Sequence, residues 1–343
     1  MQNEIKKKGK LLDGCGNLRE CGYAKSLILE YDRNDIKASK LRIKEWDYYL
    51  VHNDRYALAF TIADNGYMGL MSASWIDLSK PFEITKSIMT ILPKGKTNLP
   101  STSVKGDSIF KNKNVSFEFL NDGNVRHLKV YYKKFNKNED FSADIVLSDE
   151  PKDSMVIATP FKKDKHFYYN QKIVGMKAEG SAKLGNKEIS FDGKNSLGIL
   201  DWGRGVWTYK NTWYWGAGCG YVKGHLVGFN IGYGFGDTSN ATENMLFYDG
   251  ECHKIDGVTF NIPKDKDGKE LYTQPWTFTS NDGRFEMEFS PIIDRNSYTS
   301  AVVISSDQHQ VFGRFTGSML LDNGKNIDVV DFLGFAEKVV NKW

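Results

Sequence analysis

Arg55-Tyr56-Ala57-Leu58-Ala59-Phe60-Thr61-Ile62 runs into Asp64-Asn65-Gly66, and Tyr67 to Trp75 follows as a return. The first run is rich in aromatic and β-branched residues, which suit the pleated, half-buried surface of a strand. Asn and Gly tolerate the left-handed backbone that a tight hairpin turn demands. The segment therefore reads as a β-hairpin, and the same grammar repeats along the chain. Phe117-Glu118-Phe119 and Arg126-His127-Leu128-Lys129-Val130 alternate with the period of two expected of a half-buried strand. Turn signals recur at Asn121-Asp122-Gly123, Asp192-Gly193, Asp249-Gly250, Asp256-Gly257, Asn281-Asp282-Gly283 and Asp322-Asn323-Gly324. Short strands separated by such turns predict an all-β, antiparallel sandwich or barrel architecture. Helix is expected only as a turn or two near Thr85 to Met89.

With 343 residues, 40% hydrophobic and 13% aromatic, the chain has material for two modules or one large β fold. Lys and Arg number 46 against 43 Asp and Glu, a net charge of +3, without the basic excess of a nucleic-acid-binding protein. No nucleic-acid partner is expected. No run of 18 apolar residues occurs, so no membrane-spanning helix is expected. Residues 1–10 are basic, but Leu11-Leu12 passes straight into Asp13-Gly14-Cys15-Gly16-Asn17 without the apolar core of a signal peptide. They read as a flexible basic arm on a cytoplasmic protein. Cys15, Cys21, Cys219 and Cys252 lack the spacing of a zinc set and read as reduced thiols. No metal and no cofactor is expected.

An internal echo bears on domain count. Gly180-Ser181-Ala182-Lys183-Leu184-Gly185-Asn186-Lys187-Glu188-Ile189 resembles Gly317-Ser318-Met319-Leu320-Leu321-Asp322-Asn323-Gly324-Lys325-Asn326-Ile327. Each leads to an apolar run containing Gly, Leu197-Gly198-Ile199-Leu200-Asp201-Trp202-Gly203 in one and Phe332-Leu333-Gly334-Phe335 in the other. Two similar β modules, each closing on the same hairpin, are expected over residues 11–200 and 201–343.

Residues 201–250 stand apart: 11 are Gly and 12 aromatic, but only 7 are charged. That composition is too apolar for a surface loop and too glycine-rich for an ordinary strand. It reads either as the wall of a ligand cavity or as a tightly bent barrel core. In Asp201-Trp202-Gly203-Arg204-Gly205-Val206-Trp207, Asp201 and Arg204 either pair with each other to fix a corner or handle a polar ligand head. In Trp213-Tyr214-Trp215-Gly216-Ala217-Gly218-Cys219-Gly220-Tyr221, alternation sets Trp213 and Trp215 on one face and glycines opposite, leaving room there. In Phe229 to Asn244, Phe229, Ile231, Tyr233 and Phe235 share a face, with Asn230 and three glycines on the other. A polar knot follows, in which Asp237-Thr238-Ser239 forms a simple Asx turn or Asp237 and Glu243 stand as carboxylates at a cavity mouth, tuned by burial. His225 at a turn and His253 after Asp249-Gly250 are structural or lie near the site.

Ser239 has no Gly-x-Ser-x-Gly frame, and Gly232-x-Gly234-x-Gly236 is not followed by a phosphate-binding helix. Nucleophile-elbow hydrolysis and nucleotide binding are thereby rejected, whereas a glycosidase carboxylate pair needs no sequence proximity and stays open.

Leu11-Leu12-Asp13-x-x-Gly16-Asn17-Leu18 with Gly22-Tyr23-Ala24, the segment Asp201 to Trp207, Gly234-Phe235-Gly236-Asp237 with Thr242-Glu243-Asn244, and Gly334-Phe335-Ala336-Glu337 resemble a bacterial family designated domain of unknown function 2804. The resemblance spans essentially the whole chain. More distantly, the layout is similar to the tandem lipocalin-like proteins, which include carotenoid hydratases and Diels–Alder cyclases. That likeness implies two calycin-type barrels or curled antiparallel sheets in tandem, each able to enclose a small ligand. Three functions are carried forward. The first is an enzyme acting on a largely apolar small molecule by carboxylate acid/base chemistry, of hydratase, isomerase or cyclase type. Asp201, Asp237 or Glu243 would be acid or base, with Arg204, Trp207, Trp213, Trp215, His225, Asn230, Tyr233 and Asn244 binding substrate. The second is a carrier of small molecules or lipids with the same hydrophobic pocket. The third is a carbohydrate-active protein, hydrolase or lyase.

Overall fold

The computed structural model describes residues 2–301 and 304–342. Apart from two short 3-10 turns, Arg33–Asp35 and Lys40–Arg42, its regular elements are strands. The first large sheet runs from edge to edge through Phe82–Ile91, Met68–Asp77, Tyr56–Asp64, Ile43–His52 and Lys187–Val206. It continues through Phe167–Leu184, Glu139–Ser148, Arg126–Asn136, Val115–Asn121 and Ser108–Lys111. Met155–Pro160 adds to Phe167–Leu184 off this path and carries Gly22–Ala24. The second sheet begins with Glu251–Lys254, Met245–Tyr248, His225–Tyr233, Lys210–Val222 and Asn326–Lys342. Ile304–Leu320, Phe285–Ala301, Trp276–Ser280 and Val258–Asn261 complete it. Neighbours in both sheets are antiparallel, and the chain crosses from one to the other between Val206 and Lys210.

Alternation curls each sheet around its own apolar filling. Val115, Phe117, Phe119, Leu128, Val130, Phe141 and Ile145 point into the first, with Phe60, Trp75 and Trp202. Across the open side of that curl the Tyr132 hydroxyl donates to the Ser87 carbonyl at 3.4 Å. Phe229, Ile231, Phe260, Trp276, Phe278, Phe289 and Phe315 fill the second. A third apolar cluster belongs to neither interior: Tyr48, Leu50, Tyr168, Ile199 and Leu197 from the first sheet meet Trp215, Ala217, Phe312, Leu333 and Phe335 from the second. This seam between the two curled sheets fixes the candidate site.

The glycines of the internal echo perform the same task twice. Gly180 (φ 137°) and Gly317 (φ 154°) each sit where a Cβ would come within 2.1 Å of a neighbouring strand's carbonyl oxygen, that of Asp144 and of Glu286 respectively. A long hairpin can lie so close to the next strand only with glycine there. The hairpins themselves are Phe167–Leu184 with Lys187–Val206 and Ile304–Leu320 with Asn326–Lys342.

Two expectations are corrected. Thr85 to Met89 is strand, not helix: Thr85 pairs with Ser74 and Met89 with Leu70 in an unbroken ladder. The β-branched residues Ile84, Thr85, Ile88 and Thr90 favour that pairing once a partner strand is offered. Residues 2–10 are not a loose arm. The Asn3 amide donates to Asn240 O and the Ile5 amide to Tyr23 O, both at 2.7 Å, while Ile5 is buried and Lys6, Lys7 and Lys8 face outward.

Candidate functional site

On Phe167–Leu184 the residues Tyr168, Asn170, Lys172 and Val174 face the seam, while Tyr169 and Ile173 enter the first interior. On Lys187–Val206, Leu197, Ile199 and Asp201 face the seam, while Leu200 and Trp202 face inward. Lys172 and Asp201 are direct cross-strand partners, and Lys172 Nζ lies 2.9 Å from Asp201 Oδ2. Asn170 Nδ2 donates to Asp201 Oδ1 at 2.6 Å. The Lys172 ammonium also sits 3.9 Å above the Trp215 ring of the opposite sheet, a favourable cation–π contact where water is excluded. Trp215 Nε1 donates to Asn230 Oδ1 at 2.8 Å, and Asn230 Nδ2 donates to the Glu243 carbonyl at 2.8 Å. A continuous line of contacts thus runs from Asp201 through Lys172, Trp215 and Asn230 to Glu243.

A second carboxylate completes the arrangement. Glu337, 4% exposed, accepts from Trp213 Nε1 at 2.9 Å and from Gln310 Nε2 at 3.0 Å. Gln310 Oε1 accepts from Arg295 Nη2 at 2.7 Å, and Arg295 Nη1 reaches Ser74 of the first sheet at 2.8 Å. Burial pushes the Glu243 carboxyl up to about 7 against the pull of Lys172, with the Asp201 charge adding to the rise. Burial likewise raises Glu337, opposed by its Trp213 hydrogen bond and by Arg295 and Lys172. It depresses Lys254 to about 7, opposed by Asp256, Asp282 and Glu243. Two buried carboxyls raised by burial, Glu243 to about 7, beside a paired one are the raw material of proton transfer at ordinary pH. Among the described residues no three His, Cys, Asp or Glu side chains converge as a metal ligand set.

The site is built twice. Leu197-Gly198-Ile199-Leu200-Asp201 and Leu333-Gly334-Phe335-Ala336-Glu337 occupy matching places on the second strands of the two long hairpins. Asp201 faces Lys172 on one side and Tyr48 on the other; Glu337 faces Gln310 and Trp215. The first half reaches across the seam to the second, Lys172 to Trp215 and Tyr48 to Trp215 and Gln310. Where one copy has an ammonium the other has a neutral amide, so the two acids differ in their compensation.

Trp46, Tyr168, Trp207, Trp213 and Phe235 form an aromatic wall beside this cluster. Trp46 stacks on Tyr168 with centroids 6.1 Å apart, and Phe235 meets Tyr168, Trp207 and Trp213 edge-on at 4.8, 4.7 and 5.3 Å. The wall closes on itself in this state. Two hollows elsewhere are of another kind: an open polar bowl of about 500 Å³ beside Tyr131, Asp140 and Lys183, and a space of about 10 Å³ by Asp47, Arg126 and Trp202 in the first interior.

The structure brings together Asp201, Glu243, Trp207, Trp213, Trp215 and Asn230 of the residues nominated from sequence. Asp201 and Arg204 do not pair, because an odd spacing along a strand sends them to opposite faces. Arg204 is 0% exposed inside the first sheet, bonded to Asp47 Oδ1 at 3.0 Å and to the carbonyls of Trp46, Gly203 and Pro100. Asp237 is exposed; its Oδ1 accepts from the Ser239 amide at 3.0 Å, which makes it the Asx turn and lowers its carboxyl rather than raising it. His225 is an exposed partner of Asp249, and Tyr233 stacks on Tyr214 at 4.4 Å toward the second interior. His253 pairs with Asp322. Asn244 is buried but holds backbone, accepting from Gly232 N and donating to Asp256 O, both at 2.7 Å.

The space expected opposite the tryptophans is also filled: a Cβ on Gly218 would lie 3.0 Å from the Phe229 ring and one on Gly220 3.1 Å from Phe332. On the tryptophans' own face Gly232 pairs with Trp215, and a Cβ there would lie 2.9 Å from Glu243 Oε1. These glycines make room for the protein's own side chains, and Gly232 in particular seats the Glu243 carboxyl. Sequence reasoning missed Lys172, Asn170, Gln310 and Arg295 as site residues. The interruption of an apolar strand by Asn170, Gln171 and Lys172 was the available signal. Glu337 was visible within a family-like motif but carried no role.

The model of a family described as Domain of unknown function (DUF2804) matches residues 2–343. No curated protein matches the chain. Among solved structures, the chain is similar to an AttH from Nitrosomonas europaea, with 11% identity over 90% of this chain and 96% of that one, and a TM-score of 0.52. Similarity extends to kievitone hydratase from Nectria haematococca, with 13% identity over 88% of each chain and a TM-score of 0.46. It also extends to CghA with Sch210972, with 10% identity over 97% and 96% and a TM-score of 0.43. The AttH likeness agrees with the tandem lipocalin-like fold, and at 11% identity it shows the fold alone.

Proposed function

We propose that this chain, which belongs to the family of domain of unknown function 2804, is an enzyme that moves protons on a largely apolar small molecule held in the seam between its two curled sheets. One observation carries the reading: Glu243, 8% exposed and close to neutrality, lies a short chain of contacts from the Lys172–Asp201 pair, beside a wall of indole and phenyl rings. A neutral carboxyl in such surroundings donates a proton to an alkene or a leaving hydroxyl. The carboxylate left behind is then compensated by Lys172 and Lys254. The aromatic wall suits an apolar skeleton and stabilises a cation developing on it. Hydration, dehydration, isomerisation and cyclisation all fit this chemistry. Substrate entry parts the contacts among Trp207, Trp213 and Phe235. All four cysteines are free thiols, which fits a reducing, cytoplasmic setting.

The test is deuterium incorporation from D₂O into a panel of apolar alkenes and allylic or tertiary alcohols, followed by mass spectrometry. Wild-type protein is expected to label a substrate, and Glu243→Gln to lose about 10²–10⁴ in rate while remaining folded. A Glu243→Gln variant that labels at the wild-type rate overturns the reading.

A further inference from the structure

Several buried polar atoms without a partner gather on the seam. Asn170 is 0% exposed; its Nδ2 donates twice, to Asp201 Oδ1 at 2.6 Å and to Trp202 O at 2.8 Å, yet its Oδ1 accepts from no group. Arg295 Nε and both amide atoms of Asn341 are likewise unpaired, Asn341 being 1% exposed on the strand face that carries Glu337. Native proteins leave few buried polar atoms unsatisfied, and those that are commonly await a water or a ligand. At Asn170 the chemistry of that ligand is restricted. An amide oxygen can only accept, and its neighbour Asp201 is an acceptor too, so the missing group is a donor.

The surroundings of Asn170 define the rest of the ligand. Two residues away on the same face is Tyr168, whose ring begins the aromatic wall with Trp46 and Phe235. Directly across the ladder stands Gly203, where a Cβ would lie 1.9 Å from the Trp46 ring, so that ring covers the strand beside Asn170. Two residues away in the other direction is Lys172 with its Asp201 partner. A donor seat thus adjoins an apolar wall on one side and a charged pair on the other.

We propose that Asn170 is a specificity-determining residue whose Oδ1 accepts a hydrogen bond from a substrate hydroxyl, so that the seam selects alcohols or phenols on an apolar skeleton over the corresponding ethers and hydrocarbons. The inference rests on the seam being the binding site proposed above, and is independent of whether Glu243 transfers the proton. A site built to bond a hydroxyl rejects an analogue lacking it far more strongly than an apolar pocket rejects a change of size.

The experiment is calorimetric titration of the full chain with matched pairs: phenol and anisole, 2-naphthol and 2-methoxynaphthalene, geraniol and its methyl ether. Wild-type protein is expected to bind at least one alcohol about tenfold or more tighter than its ether. Asn170→Leu is expected to abolish the difference and Glu243→Gln to keep it. Parity of every pair in the wild-type protein, no binding of any alcohol, or a preference that survives in Asn170→Leu overturns the proposal. Because parity is read on the wild-type protein, the test stands even if Asn170→Leu does not fold. Parity with deuterium labelling intact removes the hydroxyl seat alone; a tenfold preference without labelling removes the acid–base reading alone.

Discussion

Glu243 makes its protonation a property of the fold. Its ordinary value is 4.5 and burial lifts it to about 7, so between these limits the folded chain holds a proton that the unfolded chain has released. The stability this contributes is fully present below about 4.5 and is lost as pH rises through about 7, a difference of at most about 3 kcal/mol. His52 acts oppositely: burial depresses it to about 4, so its contribution grows as pH rises toward 6.5. Comparing urea midpoints of wild-type and Glu243→Gln proteins at pH 5 and pH 7 cancels His52 and isolates the glutamate. The wild-type advantage is expected to shrink from pH 5 to pH 7, and an unchanged difference removes the raised carboxyl. At Gly203 the argument is steric. A Cβ 1.9 Å from the Trp46 ring cannot be accommodated without moving that indole, so Gly203→Ala is expected to cost about 1–3 kcal/mol or more by denaturant unfolding.

At the scale of the element, the two long hairpins decide where charge is buried. Register places Lys172 beside Asp201 on the same face, and neither residue can leave the seam without shifting a whole strand. Breaking one partner of a buried pair strands the other, whereas replacing both with apolar groups does not. Lys172→Met alone is therefore expected to cost about 3–5 kcal/mol, and the double variant Lys172→Met with Asp201→Leu to recover much of it. A double-mutant cycle by urea denaturation measures this, and additivity of the single costs counts against a coupled pair. The period-two pattern that revealed the strands also explains two failures of reading. It was sufficient to send Asp201 and Arg204 to opposite faces, and so to exclude the corner pair that was one of their two readings. It could not show that the glycine faces would be filled by Phe229, Phe332 and Glu243, because those rings and that carboxyl arrive from other strands or beyond the turn.

For the molecule as a whole, the seam is both the join and the candidate site. Cys219, 2% exposed, lies 3.3 Å through its sulfur from His52 Nε2 of the other sheet, and burial raises its thiol pKa. Alkylation should therefore reach the exposed Cys15 quickly and Cys219 only as the seam opens, with a seam ligand slowing Cys219 further. Mass spectrometry of the labelled peptides reads both rates, and equal rates would mean that the seam is open in solution. Because Tyr48, Tyr168, Trp215 and Phe335 share one apolar cluster across the seam, residues 1–208 expressed alone expose that face. The fragment is expected to bind a hydrophobic dye that the full chain does not, and an inert fragment would show that the seam carries little apolar burial.

The sequence by itself determined most of the strands, their antiparallel sense and the echo of one hairpin in the other, since alternation and turn residues are local in the chain. Gly180 and Gly317 announce the duplication because each meets the same carbonyl obstacle in its own half. Which charges meet was decided only by tertiary structure. Asp201, Glu243 and Glu337 lie far apart in the chain and converge because one sheet's outer face closes on the other's; their burial and proton affinity are properties of that closure.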